Sequence, residues 1–365
     1  MKISFIRGAY LNNFEGQNYP SGITGYSSLI PIDSHVSFPV IKLPSLADLQ
    51  TISFLNKPIK YITNRTLGDS QILWGLEQYI AGSDIAHVAD PHYYYSYQAA
   101  RLRAKGDIKK LISTWWETIP FNNESTEAKK KIKHFTMKNV DHFICHCEKA
   151  KQCLIAEGIA KDATSLIPLG VDTTVFYPSI KKDTKNFTIL FVGRLVEEKG
   201  ILDLYEAFKQ VIGHEKFILL KIVGSGPLKN KLQSAIQKDG LQKIVEIDHK
   251  SYEDMPKIFR QADVVCVPSK KTVTWEEQYG MVFVEAMASG IPIVSYTTGA
   301  IPNVVHNCGL LTNEGNIKQL GVLLKKLYSD RQLRLKIGTM GRERAKELFD
   351  SKKAAQAIEK LYKLL

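Results

Sequence analysis

Short apolar segments alternate with segments of helical periodicity along almost the whole chain. The strand-like segments of the first half are KISFI, HVSFPVIKL, DIAHVAD, KLISTWW and DHFICHC. Those of the second half are FTILFVG, FILLKIVG, VEIDH, DVVCVPS and PIVSYTT, with amphipathic patterns such as ILDLYEAFKQVIG between them. Strands that alternate with helices are joined by crossover connections, which build parallel sheets covered by helices. The alternation therefore predicts an α/β protein with doubly wound, Rossmann-like sheets.

The length of the chain favours two such domains. Its 365 residues exceed the size at which a single hydrophobic core usually stops growing. A polar, lysine-rich stretch with a proline, YPSIKKDTKNFT at 177–188, separates the two halves. We therefore predict an N-terminal domain at 1–178 and a C-terminal domain at 179–345, followed by a closing helical segment at 346–365.

The five cysteines favour a reducing compartment over a disulfide framework, because they are few and odd in number. Three of them lie in DHFICHCEKAKQC, beside His142 and His146, so a metal site has to be weighed. The spacing matches no zinc module, and Cys145 and Cys147 fit one face of a buried strand. Buried thiols behave as small hydrophobic groups. We therefore expect no metal in this segment.

The ends and the hydropathy of the chain bear on its location. The segment MKISFIRGAY reads as a first strand and not as a signal peptide, because it lacks a basic region followed by an apolar stretch. No segment approaches the ~20 apolar residues that span a bilayer. We expect a cytoplasmic protein that is soluble or peripheral on the cytoplasmic membrane face.

The net charge of +12 favours anionic partners. Basic residues cluster in RLRAKGDIKK (101–110) and EAKKKIKHFTMK (127–138). Two interpretations of these clusters are open, a solvated face and a surface that docks on anionic lipid. Nucleic-acid binding is not expected, because the chain shows no recognition module or basic motif interleaved with aromatic residues.

Three strand ends in the second half carry residues suited to a phosphate ligand. Ligands of open α/β sheets lie beyond the carboxyl ends of the strands, where helix N-termini present N–H groups to anions. One strand ends at Gly193 and is followed by Arg194 and Lys199, and the next ends in a tight turn with Gly224 and Gly226. Arginine clamps phosphate oxygens in pairs and lysine adds a point charge, so this edge suits a pyrophosphate.

The third strand end leads into EEQYGMVFVEAMASGIPIV, which predicts a short apolar helix from Gly280 to Ala288. Glu285 lies in the middle of this helix and Glu277 just before it. A buried lone carboxylate costs several kcal/mol unless donors pair with it. Sugar hydroxyls would serve as donors for both carboxylates, while the helix N-terminus faced a phosphate. The alternative is that Glu285 pairs with an arginine or a lysine of the core.

Six stretches of the chain resemble the retaining glycosyltransferases of family 4, known as glycosyl transferases group 1. They occur in the order of that family and are IPLGVDTTVFYP, FVGRLVEEKG, VGSGPLKNKL, ADVVCVPS, EEQYGMVFVEAMASGIPIVS and TTGAIPNVV. The resemblance is strong over about 167–310 and loose elsewhere. It implies the GT-B fold, in which two Rossmann-like domains face a central cleft and the C-terminal helix crosses back to the first domain.

The resemblance also implies roles for single residues. Arg194 and Lys199 would hold the diphosphate of the donor, Glu277 the hydroxyls of the transferred sugar, and Glu285 the ribose hydroxyls. Backbone N–H groups near Met281 and Val282 would cap the phosphate. The implied reaction is retaining transfer of a hexose from a UDP- or GDP-linked sugar to a glycan or lipid-linked acceptor. Neither a metal nor a cofactor is expected, and the chain contains no Asp-x-Asp.

The N-terminal half departs from the family. The Gly-Gly loop common after the first strand is missing, and Gly8 and Gly16 stand alone. Where many members place a histidine after the fourth strand, this chain has STWWETIP, in which Glu117 is a candidate for a polar role near the sugar. Trp116 is either a stacking wall for a sugar or part of the core. His87 and His92 either act near the acceptor or are hydrogen-bonded beneath a loop.

Two rival functions are open at this point. One is a GT-B protein that binds a nucleotide sugar without transferring it, which the missing histidine suggests. The other is a dinucleotide-dependent dehydrogenase. It is disfavoured because no Gly-x-Gly-x-x-Gly follows the first strand.

Overall fold

The computed structural model describes residues 1–30, 36–179, 186–212 and 217–365. It divides into two compact units. The first comprises Met1–Leu169 together with Lys352–Leu365, and the second comprises Gly170–Ser351. The C-terminal helix therefore belongs to the first unit. Of the linker predicted at 177–188, residues 180–185 lie outside the described part of the chain.

The division between the units falls at residues 170 and 352, whereas the sequence placed it at 178 and 346. A side chain of the second unit explains why the boundary between the units lies before residue 178. The Arg342 guanidinium donates to the carbonyls of Thr173 at 2.9 Å and Phe176 at 2.8 Å. This segment, which follows residue 169, is therefore fixed to the unit that contains Arg342.

The first unit is built on a seven-stranded sheet in the order β3-β2-β1-β4-β5-β6-β7, in which the recorded strand pairs are all parallel. Its strands are β1 (Ile3–Gly8), β2 (Thr24–Ser27), β3 (Val40–Lys42), β4 (Ile85–Val88), β5 (Lys110–Trp115), β6 (His142–Cys145) and β7 (Thr164–Leu166). Its helices are α1 (Asn13–Gly16), α2 (Ser53–Thr66), α3 (Leu76–Ile80), α4 (Tyr94–Lys105), α5 (Glu127–Asn139), α6 (Glu148–Ala156) and α14 (Ser351–Leu364), whose first residue is assigned to the second unit.

The second unit is built on a six-stranded parallel sheet in the order β10-β9-β8-β11-β12-β13. Its strands are β8 (Phe187–Val192), β9 (Ile218–Val223), β10 (Val245–Asp248), β11 (Val264–Cys266), β12 (Ile293–Tyr296) and β13 (Gly309–Thr312). Its helices are α7 (Ile201–Ile212), α8 (Lys229–Lys238), α9 (Met255–Phe259), α10 (Met281–Ala288), α11 (Ile301–Val305), α12 (Ile317–Ser329) and α13 (Arg331–Leu348). Two parallel sheets that alternate with helices confirm the predicted α/β class.

Three strands have no counterpart in the sequence prediction, namely β2, β7 and β13. The β2 sequence, TGYS, has no apolar run. Its Gly25 is required because a larger side chain would collide with a neighbouring residue. A Cβ on Gly25 would lie 2.9 Å from the ring of Phe38, so the glycine lets this aromatic side chain pack onto the strand. Of the strand predicted over HVSFPVIKL, His35 lies outside the described residues, and β3 begins only at Val40, after Pro39.

The cysteine-rich segment was predicted to place Cys145 and Cys147 on one strand, and this was wrong. The strand β6 ends at Cys145, and Cys147 precedes α6, where its sulfur accepts the N–H of Ala150 at 3.4 Å. All five cysteines are free and buried. Among the described residues, no group of three histidine, cysteine or acidic side chains is arranged to hold a metal.

Buried polar groups link α14 to the sheet of the first unit. The His87 ring lies 2.6 Å from the Tyr362 hydroxyl through Nδ1 and 2.8 Å from Thr114 Oγ1 through Nε2. Arg7 donates to the same Thr114 oxygen at 2.9 Å and pairs with Glu15 at 2.7 Å. Polar groups that are buried with their partners tolerate few other arrangements. This network therefore defines where the C-terminal helix packs.

A second buried cation stabilises the helical layer of the first unit. The Lys133 side chain of α5 is 2% exposed, and its ammonium lies 2.9 Å from Glu124 and 2.6 Å from Glu157. It also donates to the carbonyl of Asn122 at 3.1 Å. Lys133 thereby joins α5 to the loop after β5 and to the end of α6.

We expect Lys133→Met to lower the free energy of unfolding by about 3–5 kcal/mol, because it leaves two buried carboxylates without their cation. Urea denaturation of the full chain measures the change, and hydrogen exchange of the amides in the first unit is the readout. Lys131→Met is the matched control, since Lys131 lies on the same helix with an exposed side chain. Equal stability of the two variants would show that the Lys133 ion pairs contribute little.

Candidate functional site

The carboxyl ends of β8, β9, β11 and β12 lie at one edge of the second sheet, because these four strands are neighbours and parallel. The loops that follow them contain nearly all of the donor-site residues predicted from the sequence. Their geometry shows which of these residues come together.

Glycines allow the loops after β8 and β9 to touch through their backbones. A Cβ on Gly224 would lie 1.9 Å from the carbonyl oxygen of Gly193, and one on Gly226 would lie 2.5 Å from that of Leu195. The Leu195 N–H donates to the Ser225 carbonyl at 2.8 Å. No larger residue fits at either position without moving the neighbouring loop, so Gly224 and Gly226 shape this edge of the sheet.

Glu277 lies at the centre of the predicted donor site and is 6% exposed. Its Oε2 accepts from the Lys199 ammonium at 2.6 Å and from the Ser269 hydroxyl at 2.8 Å. Its carbonyl accepts from the Ala300 N–H at 2.8 Å, and a Cβ on Gly299 would lie only 2.2 Å from that oxygen. Glu277 therefore connects the loops that follow three different strands.

Only one oxygen of the Glu277 carboxylate, Oε2, takes part in these side-chain hydrogen bonds. Within the described part of the chain, Oε1 accepts no hydrogen bond. The Lys199 ammonium also lies 4.9 Å from the centroid of the Trp275 ring. An ammonium group has three N–H donors, of which Glu277 takes one. The ion pair thus leaves both partners with further capacity for a ligand.

Arg194 has a different environment from Lys199. Its side chain is 63% exposed and lies 3.4 Å from Glu198, four residues further along the loop. Ion pairs of this exposed kind contribute little to stability. The guanidinium is thus held loosely at the same loop in which Lys199 is firmly paired.

The helix α10 begins at Met281, one residue later than the sequence predicted, and ends at Ala288 as predicted. Gly280 has φ +84° and precedes the helix, and a Cβ there would lie 2.5 Å from the Phe283 ring and 3.5 Å from Glu277 Cγ. The N–H groups of Met281 and Val282 belong to the first turn, where no carbonyl of the preceding turn is available to them. The partial positive charge of this end faces outward beside Glu277.

Glu285 lies in α10, is 5% exposed and is hydrogen-bonded to Tyr252. Burial raises the pKa of its carboxyl group to about 8, against the opposing effect of the Tyr252 hydrogen bond. No ion pair to Glu285 occurs among the described residues. The structure therefore does not support the alternative in which an arginine or a lysine of the core pairs with it. At neutral pH the carboxyl group is mainly protonated without a ligand.

The histidines of the first unit that were candidates to act near the acceptor are buried or half-buried. His87 is fully buried and uses both ring nitrogens in the network with Tyr362 and Thr114. Burial, with nearby Arg7, holds the pKa of His87 well below its usual value, so the ring is neutral. Of the two interpretations left open for His87, the structure supports the hydrogen-bonded histidine. His92 is half-buried, and its ring centroid lies 4.2 Å from that of Tyr93.

Glu117 organises its own loop and has no free acceptor for a sugar. One oxygen accepts the backbone N–H groups of Thr118 at 2.9 Å and Ile119 at 3.1 Å. The other accepts the side-chain amides of Asn122 at 2.8 Å and Asn123 at 2.9 Å. With four donors around a 5% exposed carboxylate, its polar role is structural. The role near the sugar expected for Glu117 is not supported.

Two other predicted residues have local explanations. Gly16 is needed for packing, since a Cβ there would lie 2.3 Å from a methyl group of Val36. Trp116 is half-buried, with its ring centroid 4.6 Å from that of His146.

The sequence interpretation missed Asp90, which follows β4 by two residues. Asp90 is 6% exposed, and its Oδ1 accepts the Trp116 N–H at 2.9 Å. Burial is the main cause that raises the pKa of Asp90 to about 7. The signal is present in DIAHVADPH, where a carboxylate follows a strand.

Comparison with known proteins gives matches along the chain. Residues 173–344 match the model of the family "Glycosyl transferases group 1". An uncharacterized glycosyltransferase of Methanocaldococcus jannaschii is 27% identical over 289 residues, or 78% of this chain and 76% of the relative. The capsular polysaccharide biosynthesis glycosyltransferase CapM of Staphylococcus aureus is 26% identical over 65% of this chain and 67% of its own.

Solved structures show the same fold over the full length. HepE of Anabaena, crystallised in complex with UDP, superposes with a TM-score of 0.76 at 17% identity and full coverage of both chains. Sucrose-phosphate synthase of Thermosynechococcus elongatus gives 0.73 at 19% identity, covering 100% of this chain and 98% of that one. These similarities establish the two-unit GT-B fold. Separately, none of the described helices is both long enough and apolar enough to cross a bilayer.

We expect the free energy of unfolding of Glu285→Gln, relative to that of the wild type, to increase as pH rises from 5 to 8. The unfolded carboxyl ionises near pH 4.5 and the folded one near 8, so burial costs stability only above the unfolded pKa. The full difference is on the order of 4 kcal/mol. Urea denaturation at pH 5, 6, 7 and 8 measures it, with the exposed Glu343→Gln as control. A constant difference across these pH values would contradict the buried, protonated Glu285.

Proposed function

We propose that the protein is a glycosyltransferase that transfers a hexose from a UDP- or GDP-linked sugar, a proposal supported by the match of residues 173–344 to the family "Glycosyl transferases group 1". The proposed acceptor is a glycan or a lipid-linked acceptor, and the anomeric configuration is retained. The observation that carries the proposal is the pairing of Lys199 with Glu277 beside the N-terminus of α10. It supplies a cation, a carboxylate and free backbone N–H groups at the edge of the sheet where ligands of such folds bind.

The donor fits these groups by its chemistry. The diphosphate binds the remaining N–H donors of Lys199, the exposed guanidinium of Arg194 and the first turn of α10. Hydroxyls of the transferred sugar donate to Oε1 of Glu277, which has no other donor in the described structure. The ribose hydroxyls bind Glu285. UDP in the crystals of the similar HepE supports a uridine donor.

Transfer then proceeds by charge stabilisation. The bond from the anomeric carbon to the phosphate oxygen breaks, with its electron pair passing to the leaving diphosphate. The acceptor oxygen bonds to the same face of that carbon, and its proton passes to a phosphate oxygen. Lys199, Arg194 and the α10 N-terminus stabilise the growing negative charge. Because these groups provide that stabilisation, we propose that neither a metal ion nor a cofactor takes part.

A panel of UDP- and GDP-hexoses tests the donor assignment through release of the nucleoside diphosphate. We expect turnover with at least one donor and a fall of about 100-fold or more in Lys199→Ala and Arg194→Ala, as for other groups that stabilise developing charge. Lys231→Ala is the control, because Lys231 is an exposed lysine of the same unit. Unchanged rates in both variants would remove the assignment. Thermal stabilisation by a donor without turnover would favour a protein that only binds it.

We further propose that the first unit docks on the cytoplasmic face of an anionic membrane through α2 and α5. These helices pack against each other. The α2 segment has no acidic residue, and Tyr61 and Ile62 are 62% and 58% exposed among its basic side chains. Exposed aromatic and aliphatic groups among cations suit a lipid surface. The basic residues with exposed side chains on α2 and α5 are Lys57, Lys60, Arg65, Lys130, Lys131 and Lys138.

The two basic clusters of the sequence differ in how much of their charge is already paired with carboxylates. In 101–110, Arg103 pairs with Asp141 and Lys109 pairs with Asp84, which neutralises part of the cluster. In 127–138, Lys133 pairs with Glu124 and Glu157, and His134 also contacts Glu124, whereas no ion pair of the other lysines occurs among the described residues. The α5 cluster therefore keeps most of its charge for a partner.

We expect the protein to co-sediment with phosphatidylglycerol vesicles and to dissociate as salt rises, because salt screens exposed charges. Lys130→Glu combined with Lys131→Glu should weaken binding at least about tenfold, since each basic residue near the surface contributes about 1 kcal/mol. The same reversal at Lys325 and Lys326, exposed on α12, is the control. Equal binding of both double variants would contradict docking through α5.

A further inference from the structure

A carboxyl group lies at the carboxyl edge of the first sheet, between two neighbouring strands. The strands β4 and β5 are parallel, with Val88 paired to Ser113. Asp90 follows the first of them and Trp116 the second, and the Trp116 N–H donates to Asp90 Oδ1 at 2.9 Å. The contact fixes the carboxyl group against the backbone of the next loop, in a 6% exposed position.

The second oxygen of this carboxyl group is unused. In the part of the chain that the structure describes, Asp90 Oδ2 accepts no hydrogen bond and no cation pairs with Asp90. The neighbouring Glu117 carboxylate has four donors, and both nitrogens of His87 have partners. Although the residue is only 6% exposed, Oδ2 is not a fully buried atom, so a ligand can reach it. Asp90 is thus the one of these three side chains with capacity left for a ligand.

A sugar satisfies the chemistry of this position better than an anion does. A carboxylate repels phosphate but accepts hydrogen bonds from hydroxyl groups. The backbone N–H of Trp116 holds Asp90, and the half-buried indole of the same residue adds an apolar surface. Sugar rings present hydroxyls at their edge and C–H groups on their faces, so the two side chains complement both parts.

We propose that Asp90 Oδ2 accepts a hydrogen bond from a ring hydroxyl of a glycan acceptor. This proposal rests on the proposed function and assigns an acceptor-binding residue to it. The attacking hydroxyl still gives its proton to the leaving phosphate, so Asp90 positions the acceptor without taking part in bond exchange.

The proposal predicts a pH dependence of acceptor binding. Burial raises the pKa of Asp90 to about 7, the Glu117 and Glu15 carboxylates act in the same direction, and the Trp116 N–H and Arg7 oppose them. The ionised form accepts the stronger hydrogen bond, so KM for the acceptor should fall as pH rises from 6 to 8. The titratable groups that face Asp90 from the surrounding elements are Arg7, Glu15, Tyr93, Tyr95, Glu117 and Cys145.

The test measures transfer to octyl glucoside, octyl galactoside and octyl mannoside from the donor found in the panel. In Asp90→Asn we expect KM for the accepted octyl glycoside to rise at least about tenfold at pH 8, the scale of a hydrogen bond to a charged group. The pH dependence of that KM should disappear, while KM for the donor and the thermal stabilisation by UDP stay unchanged. Asp107→Asn, an exposed aspartate of the same unit, is the matched control.

Each result decides a separate point. An Asp90→Asn enzyme with wild-type KM and pH profile for the acceptor overturns the role of Asp90 and leaves the proposed function intact. Wild-type turnover of the donor by hydrolysis, with no transfer to any of the octyl glycosides, also overturns it. Absence of donor turnover in the wild type removes the proposed function itself.

Discussion

The Lys199–Glu277 ion pair connects loops that follow strands in different parts of the second sheet. Lys199 follows β8, Ser269 follows β11, and the backbone of Glu277 is bonded to the loop after β12 through Ala300. Because the strands are parallel, these loops meet at one edge, and the ion pair fixes them against the N-terminus of α10. The candidate donor site depends on this arrangement, and the glycines at 224, 226 and 299 make it possible by allowing backbones to touch.

Four buried carboxyl groups differ in how fully the protein satisfies them, and this separates their roles. Glu117 has four donors and holds a loop. Glu277 is satisfied at one oxygen only, Asp90 accepts a single N–H, and Glu285 has one tyrosine as its partner. Of these four carboxyl groups, Glu117 alone has donors at both oxygens among the described residues. The other three leave acceptor capacity that hydroxyl-rich ligands would use.

Charge clusters in a sequence are a poor guide to the charge that a surface presents. Lys133 lies in the middle of a basic run, yet it is buried between two carboxylates and belongs to the framework of the first unit. Arg103 and Lys109 are likewise paired. The lysines that remain lie on exposed helix faces beside apolar side chains. The function of a basic run is therefore decided by which of its members the fold has already paired.

The sequence by itself determined the α/β class, the helix after Gly280 and the placement of Lys199 and Glu277 at strand ends, because apolar periodicity and glycines act over a few residues. It did not reveal β2, β7 or β13, whose short segments lack a clear apolar pattern. Only the tertiary structure decided the partners of the buried polar groups. His87 meets Tyr362, which is 275 residues away, and Lys199 meets Glu277 across 78 residues. Such contacts depend on how elements pack, and no local pattern in the chain specifies them.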